Sequence, residues 1–375
     1  MNPLVESIPA SLIRAINARK REGDLDFGLG EPRLRPDVQP FEEALAWVRE
    51  HGCPYSPNAG YPELRERIAE YTGSSGGLAS TCVTVGSEEA LYLAVKALLD
   101  PARDEVLIVE PCYLAYPKLC MLEGIAHRMV ALDAADGFRP SAERVLESIR
   151  PETRMVVLNT PSNPTGRIWP EDELERLARG LESRPGPPIH LLSDEVYREL
   201  YYTSAPPASP AQFYEHTLVA GSLSKSCALT GLRLGWLVGP PDVMGAVVKV
   251  HQFVNTAASS YSQQVALSIF REPQRLSAQR GWYLGARGRL MESAGRHGVP
   301  LIAPEGAFYA LIPHTGELAR DSVAAAERLL EEERVVTVPG RAFGESAEGW
   351  LRLSWVTGPD ELEEGMRRIG GFLAR

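Results

Sequence analysis

The chain has 375 residues, of which 44% are hydrophobic and 23% charged, and a formal net charge of -10. These values fit a globular protein large enough for two domains, and the acidic balance, with no basic cluster to override it, argues against nucleic acid or a membrane surface as partner. Cys53, Cys82, Cys112, Cys120 and Cys227 are scattered, odd in number and without paired metal-ligand spacing, so reduced thiols are expected, with no disulfide framework and no metal site. No signal-like apolar run stands at the amino terminus, and no stretch approaches the ~18–20 apolar residues that span a bilayer, so a cytoplasmic setting is expected.

In chain order, residues 7–21 place Ile8, Leu12, Ile13 and Ile16 on one helical face and Arg14, Arg19, Lys20 and Arg21 largely elsewhere, which predicts a short amphipathic helix packed on its own chain or on a second subunit. Phe27-Gly28-Leu29-Gly30-Glu31-Pro32 reads as a turn. A Pro/Gly/Asn loop from Cys53 through Tyr55 to Tyr61 runs into a helix with Pro62 in its first turn. A strand over 81–85 then meets a glycine turn and a helix over 86–99. Backbone amides at that helix start, at Ser87 and Glu88, favour an anion, while Ser87 also suits ordinary capping.

A strand over 106–109 ends at Glu110-Pro111-Cys112-Tyr113, and strand and helix alternate through 125–130 and 142–149. The apolar run 155–158 exits into Asn159-Thr160-Pro161-Ser162-Asn163-Pro164-Thr165-Gly166; after a helix over 171–181, the run 189–192 exits into Ser193-Asp194-Glu195-Val196-Tyr197. Such alternation predicts a largely parallel α/β sheet, and ligands gather at the carboxyl ends of its strands. Ser222-Leu223-Ser224-Lys225 then holds a lysine between small hydroxyl residues, eight positions before Arg233 in a Gly-bracketed turn. An amine forms a Schiff base with an aldehyde, and two serine hydroxyls with an arginine fork suit a phosphate; pyridoxal 5'-phosphate carries both groups. A strand over 234–238 and helices over 243–254 and 262–270 follow. A long charged helix near 275–297 leads to strands over 308–311, 335–338 and 350–355 with helices over 323–332 and 360–374. Arg352, in an apolar strand, requires a carboxylate, either a ligand's or one of the chain's own.

The set Asn163-Pro-Thr-Gly, Asp194-x-x-Tyr197, Ser222-x-Ser224-Lys225 and Arg233 closely resembles the class I/II pyridoxal-phosphate aminotransferases of fold type I, over nearly the whole chain. The resemblance implies an α/β fold with a mostly parallel seven-stranded sheet, helices on both faces, in a large cofactor domain (46–280), plus a smaller α+β domain built from both chain ends (1–45 and 281–375). It implies that Lys225 forms the Schiff base, Asp194 pairs with the pyridine nitrogen, and Tyr197 and Asn163 contact the ring hydroxyl. Tyr113 would lie on the ring face. The phosphate would fall to Ser87 and Glu88 by main chain, to Ser222, Ser224 and Arg233, and to Tyr55 reaching across from the partner of a homodimer. Gly30, Asn163 and Arg352 would receive the amino acid, Arg352 at its α-carboxylate.

The activity implied is transfer of an amino group from an L-amino acid to a 2-oxo acid by a ping-pong mechanism, with Lys225 as nucleophile and acid/base and no metal. Elimination or decarboxylation on the same cofactor, and a non-catalytic cofactor-binding regulator, are the other readings. One departure stands out: some aspartate-using relatives carry a lysine where this chain has Glu88. The reversed charge points to neutral or aromatic amino donors over aspartate.

Overall fold

The computed structural model describes residues 2–314 and 318–375. Among these, twelve strands follow one another: β1 (Leu25–Asp26), β2 (Thr81–Thr84), β3 (Glu105–Glu110), β4 (Ala126–Ala131), β5 (Thr153–Asn159), β6 (His190–Asp194), β7 (Thr217–Ser222), β8 (Gly235–Val238), β9 (Tyr309–Pro313), β10 (Val335–Val336), β11 (Val338–Pro339) and β12 (Trp350–Ser354). Strands β2 to β8 form one seven-stranded sheet in the order β2-β8-β7-β6-β5-β3-β4, parallel except for β8, which runs antiparallel to both neighbours.

Side chains that alternate along each strand build the two layers of this sheet. Ile108, Met155, Val157, Leu192, Leu218 and Leu237 face one way, into a core shared with Leu91 and Ala94 of the helix Gly86–Leu98 and with Val247 of the helix Pro241–Val254. Their neighbours face the other way. Leu107, Val156, Leu158 and Leu191 meet Val145 and Leu177 of the helices Ala142–Ser148 and Glu171–Glu182, while Val83, Val219 and Trp236 meet Ile68 and Val265 of the helices Pro62–Thr72 and Ser260–Arg271. Covered on both faces, β3 and β7 are buried throughout, as continuous apolar runs in a parallel sheet require.

A separate core joins the two chain ends. Ile16 and Phe27 pack with Leu290, Phe308, Leu329, Leu351, Leu353, Trp355 and Met366, around an antiparallel sheet in the order β11-β12-β9. No helix among the described residues is long and apolar enough to cross a membrane.

Three local expectations change. The segment 7–21 is not one helix: the chain turns after Glu6 and restarts at Leu12, where Ser11 caps the helix Leu12–Ala18 by accepting the Arg14 N–H at 3.3 Å, and Pro9 lies in the break. Only Ile16 of the apolar stripe is fully buried. The strand expected over 335–338 divides at Thr337, because Val335 and Val336 pair in parallel with Leu25 and Asp26, whereas Val338 and Pro339 pair antiparallel with Arg352 and Leu351. The charged helix near 275–297 likewise divides into Gln274–Ser277 and Arg280–Arg296.

The carboxyl ends of β5, β6 and β7 deliver Asn159, Asp194 and Ser222 to one edge of the sheet, with Asn159 in register with Asp194. β8 returns beside them, and Gly235 at its start leaves no room for a side chain: a Cβ there would lie 2.5 Å from both Gly86 C and Ser87 N, and 2.8 Å from Gly221 O. These neighbours are backbone and cannot swing away. Gly235→Ala is therefore expected to destabilise the fold by about 2 kcal/mol or more, as overpacking does. Urea unfolding checks this through a lower midpoint at unchanged slope.

Candidate active site

Asp194 is buried at the end of β6, where its Oδ2 accepts the Tyr116 hydroxyl at 2.7 Å and its Oδ1 the Val196 N–H at 3.2 Å. Burial pushes its carboxyl up to about 6 against these two hydrogen bonds, which favour the ionised form. Asn159 ties the neighbouring strand end into the same network: its Nδ2 donates to the Asp194 carbonyl at 2.8 Å, and its Oδ1 accepts the Asn163 N–H at 2.6 Å. Asn163 is thereby fixed over the sheet edge, and Arg352 Nη1 donates to its Oδ1 at 3.1 Å.

Arg352 reaches this point from the small sheet. Leu351 and Leu353 turn into the core that joins the chain ends, so the alternation of β12 sends Arg352 to the opposite side. Its guanidinium is buried, lies 4.4 Å from the centroid of the Tyr309 ring and 4.9 Å from that of Phe343, and donates to Gly28 O at 2.6 Å. Its Nε has no acceptor. An internal ion pair was the alternative for this arginine, and among the described residues it forms none.

Lys225 Nζ donates to Gly30 O at 2.9 Å. Burial lowers its ammonium to about 8, with Glu31 and Asp194 pulling the other way. Arg233 takes a left-handed backbone, φ 50°, that turns its guanidinium toward the start of the helix Gly86–Leu98, where a Cβ on Gly86 would sit 2.6 Å from its Nη2. Its Nη1 donates to Thr230 O at 3.0 Å. Ser222 Oγ accepts the Ser224 N–H at 2.9 Å and so shapes the turn that carries the lysine.

One cavity of about 430 Å³ gathers these groups. Of the residues singled out in the sequence, Gly30, Ser87, Glu88, Tyr113, Asn163, Asp194, Tyr197, Ser224, Lys225, Arg233 and Arg352 line it. Ser222 lies behind the wall, and Tyr55 is 90% exposed in a loop outside it. Glu88, exposed in part to the cavity, accepts the Tyr113 hydroxyl at 3.3 Å, and the packing around it pushes its carboxyl up. Sequence reasoning missed Tyr116, Tyr309, Glu31 and Thr230. Tyr309 Oη lies 3.0 Å from Tyr197 Oη, and Thr230 Oγ1 donates to Glu31 at 2.7 Å. The three cations of the cavity, Lys225, Arg233 and Arg352, form no direct ion pair among the described residues, although Glu31, Glu88 and Asp194 share the same wall and act on Lys225 or Arg233 from farther away.

The model of the aminotransferase class I and II family matches residues 49–369. The chain belongs to this family. Among its curated relatives, the aspartate/prephenate aminotransferase of Thermus thermophilus is 34% identical, over 99% of this chain and 98% of that protein. The aspartate aminotransferase of Pyrococcus horikoshii is 32% identical over 96% of this chain and 94% of its own length. In three dimensions the aminotransferase is similar to the Thermus thermophilus aspartate aminotransferase solved with maleate, with a TM-score of 0.92 at 34% identity, covering 100% of this chain and 99% of that one. It is also similar to an aromatic aminotransferase from Pyrococcus horikoshii, with a TM-score of 0.87 at 28% identity, over 96% of this chain and 98% of that one.

The lysine of this aminotransferase has a measurable signature. A folded-state value of about 8, against an ordinary 10.5, leaves the amine neutral and nucleophilic above about pH 8. The unfolded chain holds the extra proton between these values, so the fold gains stability as pH rises across that window. Stripped of small molecules, the protein is expected to acylate at Lys225 with a rate midpoint near pH 8 while exposed lysines lag, as peptide mapping would show.

Proposed function

We propose that this aminotransferase uses pyridoxal 5'-phosphate to move an amino group from an L-amino acid to a 2-oxo acid by a ping-pong mechanism. The observation that carries the reading is the placement of three cations without direct carboxylate partners, one buried carboxyl and a helix amino terminus around a single cavity. The donor set fits the group. Arg233, Ser224 and the N–H groups at the start of the helix Gly86–Leu98 suit a phosphate, with the Ser222 hydroxyl bracing Ser224. Asp194 suits a ring nitrogen, Tyr197 and Asn163 a phenolic oxygen, and Tyr113 a ring face.

When bound, pyridoxal phosphate supplies an aldehyde carbon and a protonated ring that takes up the electron pair left on the substrate Cα. The chain's residues do the rest. Arg352 binds the α-carboxylate through its planar fork, which the Tyr309 and Phe343 rings hold in place, and Gly30 offers backbone beside it. Asp194, whose ionised form Tyr116 supports, keeps a proton on the ring nitrogen. Lys225 Nζ, lowered by burial, acts as nucleophile and then moves the Cα proton. Both half-reactions use the same groups in opposite directions.

Charge sets the donor preference. Once Arg233 faces the phosphate, Arg352 the α-carboxylate and Asp194 the ring nitrogen, Glu31 and Glu88 remain in the wall with Lys225 as the one cation left near them. A second carboxylate on the donor is disfavoured there, so neutral or aromatic donors are preferred over aspartate.

We read the chain as a homodimer in which Tyr55 reaches the partner's phosphate. Its support is that Tyr55 and Phe253 are 90% and 83% exposed, on segments that Asn58 Nδ2 joins by donating to Thr256 O at 2.7 Å. The proposed domains are 46–280 and a second one from 1–45 and 281–375, in keeping with the separate core that joins the ends. A cytoplasmic setting agrees with five free cysteines.

Absorption spectroscopy and kinetics test the reading. Purified protein is expected to show a visible cofactor band that bleaches with one class of amino acid and is lost in Lys225→Ala; a band indifferent to Lys225 would overturn it. Arg352→Ala is expected to lower kcat/KM by on the order of a hundredfold, since truncating a buried charge pair costs about 2–5 kcal/mol. Initial rates with leucine, phenylalanine, alanine and aspartate decide the donor class, and a strong preference for aspartate would refute the role given to Glu88.

A further inference from the structure

Behind the anion end of the cavity lies a buried polar hub that the reaction itself does not use. Glu89, on the first turn of the helix Gly86–Leu98, turns away from the cavity that its neighbour Glu88 lines. Its Oε2 accepts the Val85 N–H at 2.5 Å, and its Oε1 accepts both His251 Nδ1 at 3.0 Å and Asn255 Nδ2 at 2.6 Å. His251 is fully buried, and its Nε2 has no partner. With the Glu89 carboxylate as its acceptor, His251 Nδ1 carries the proton of that hydrogen bond.

Three donors converge on one side chain. Only an acceptor-only end group satisfies them all, because an amide in the same place would turn its NH2 against another donor. Burial opposes ionisation of Glu89, and these hydrogen bonds outweigh it, holding the carboxyl below its usual range.

Placement gives the hub its meaning. The first N–H groups of a helix have no partner within it and can satisfy an outside anion. Val85 stands just before that helix, and its N–H is taken from inside by Glu89. We propose that Glu89, braced by His251 and Asn255, is a positioning residue that fixes the start of this helix so that the Ser87 and Glu88 N–H groups stay aimed at the cofactor phosphate. This rests on the cofactor reading given above. The hub tells on the phosphate and not on the rest of the cofactor, which separates positioning from general stability.

The test is equilibrium titration of the full chain with pyridoxal phosphate, with pyridoxal lacking the phosphate, and with inorganic phosphate as competitor. His251→Phe and Glu89→Gln are expected to weaken pyridoxal phosphate and inorganic phosphate by about tenfold to a hundredfold, the range for hydrogen bonds to a charged group, while pyridoxal changes less than about twofold. His251→Asn, which keeps a donor near the Nδ1 position, restores most of the loss. Asn255→Ala, at a more exposed position, shows the same pattern more weakly and serves where a buried variant fails to fold. Equal weakening of pyridoxal and pyridoxal phosphate, or no weakening at all, overturns the proposal. If the unaltered chain itself fails to favour pyridoxal phosphate over pyridoxal, the cofactor reading fails first and takes this inference with it.

Discussion

A guanidinium taken out of water without a carboxylate beside it is costly, and the structure around Arg352 is arranged to bear that cost. Two aromatic faces, the Gly28 carbonyl and the Asn163 amide oxygen stand where an ion-pair partner would be. Each of these depends on a different part of the fold. Tyr309 comes from β9 and lies diagonally across from Arg352 in the antiparallel pair, since Arg352 is opposite Leu311 and Ser354 opposite Tyr309. Gly28 follows β1, which β10 holds in place. Asn163 is fixed by Asn159 at the end of β5 in the large sheet. The arginine site therefore exists only when both chain ends and the central sheet are assembled together.

The large sheet supplies the other half by a different rule. Parallel strands end on the same edge, so Asn159, Asp194 and the Ser222 turn arrive side by side although they are far apart in sequence. Antiparallel β8 then brings Gly235 against the start of the helix Gly86–Leu98, and the absence of side chains there lets backbone meet backbone. One end of the cavity is thus made of amides and cations, the other of a buried carboxyl and an arginine.

How much of this could be read from the sequence follows the distance over which each feature is determined. Strand runs such as 106–109 and 155–158 declare themselves through apolar residues bounded by turn chemistry, and residues carrying a family motif, such as Lys225 and Asp194, stand out for the same local reason. Pro9 and Ser11 also lie in plain view, but the stripe of isoleucines masked the break they impose. Thr337 could not have been placed, because the choice between β1 and β12 as partner is made by tertiary packing alone. Tyr116 and Tyr309 resemble ordinary core aromatics; nothing near them in sequence announces that their hydroxyls face Asp194 and Tyr197. Tyr55 is the opposite case, prominent in its loop yet exposed and outside the lining of the cavity.

The carbonyls of Gly28 and Gly30 each accept from a cavity cation, Arg352 and Lys225 respectively, two residues apart on one short segment. They act as placeholders. A neutral carbonyl holds a cation less firmly than a carboxylate would, so an arriving anion displaces it at small cost, whereas a fixed internal ion pair would have to be broken. Because both placeholders belong to the same stretch of backbone, residues 28–30 tie the arginine from the small sheet and the lysine from the large one to a single short segment.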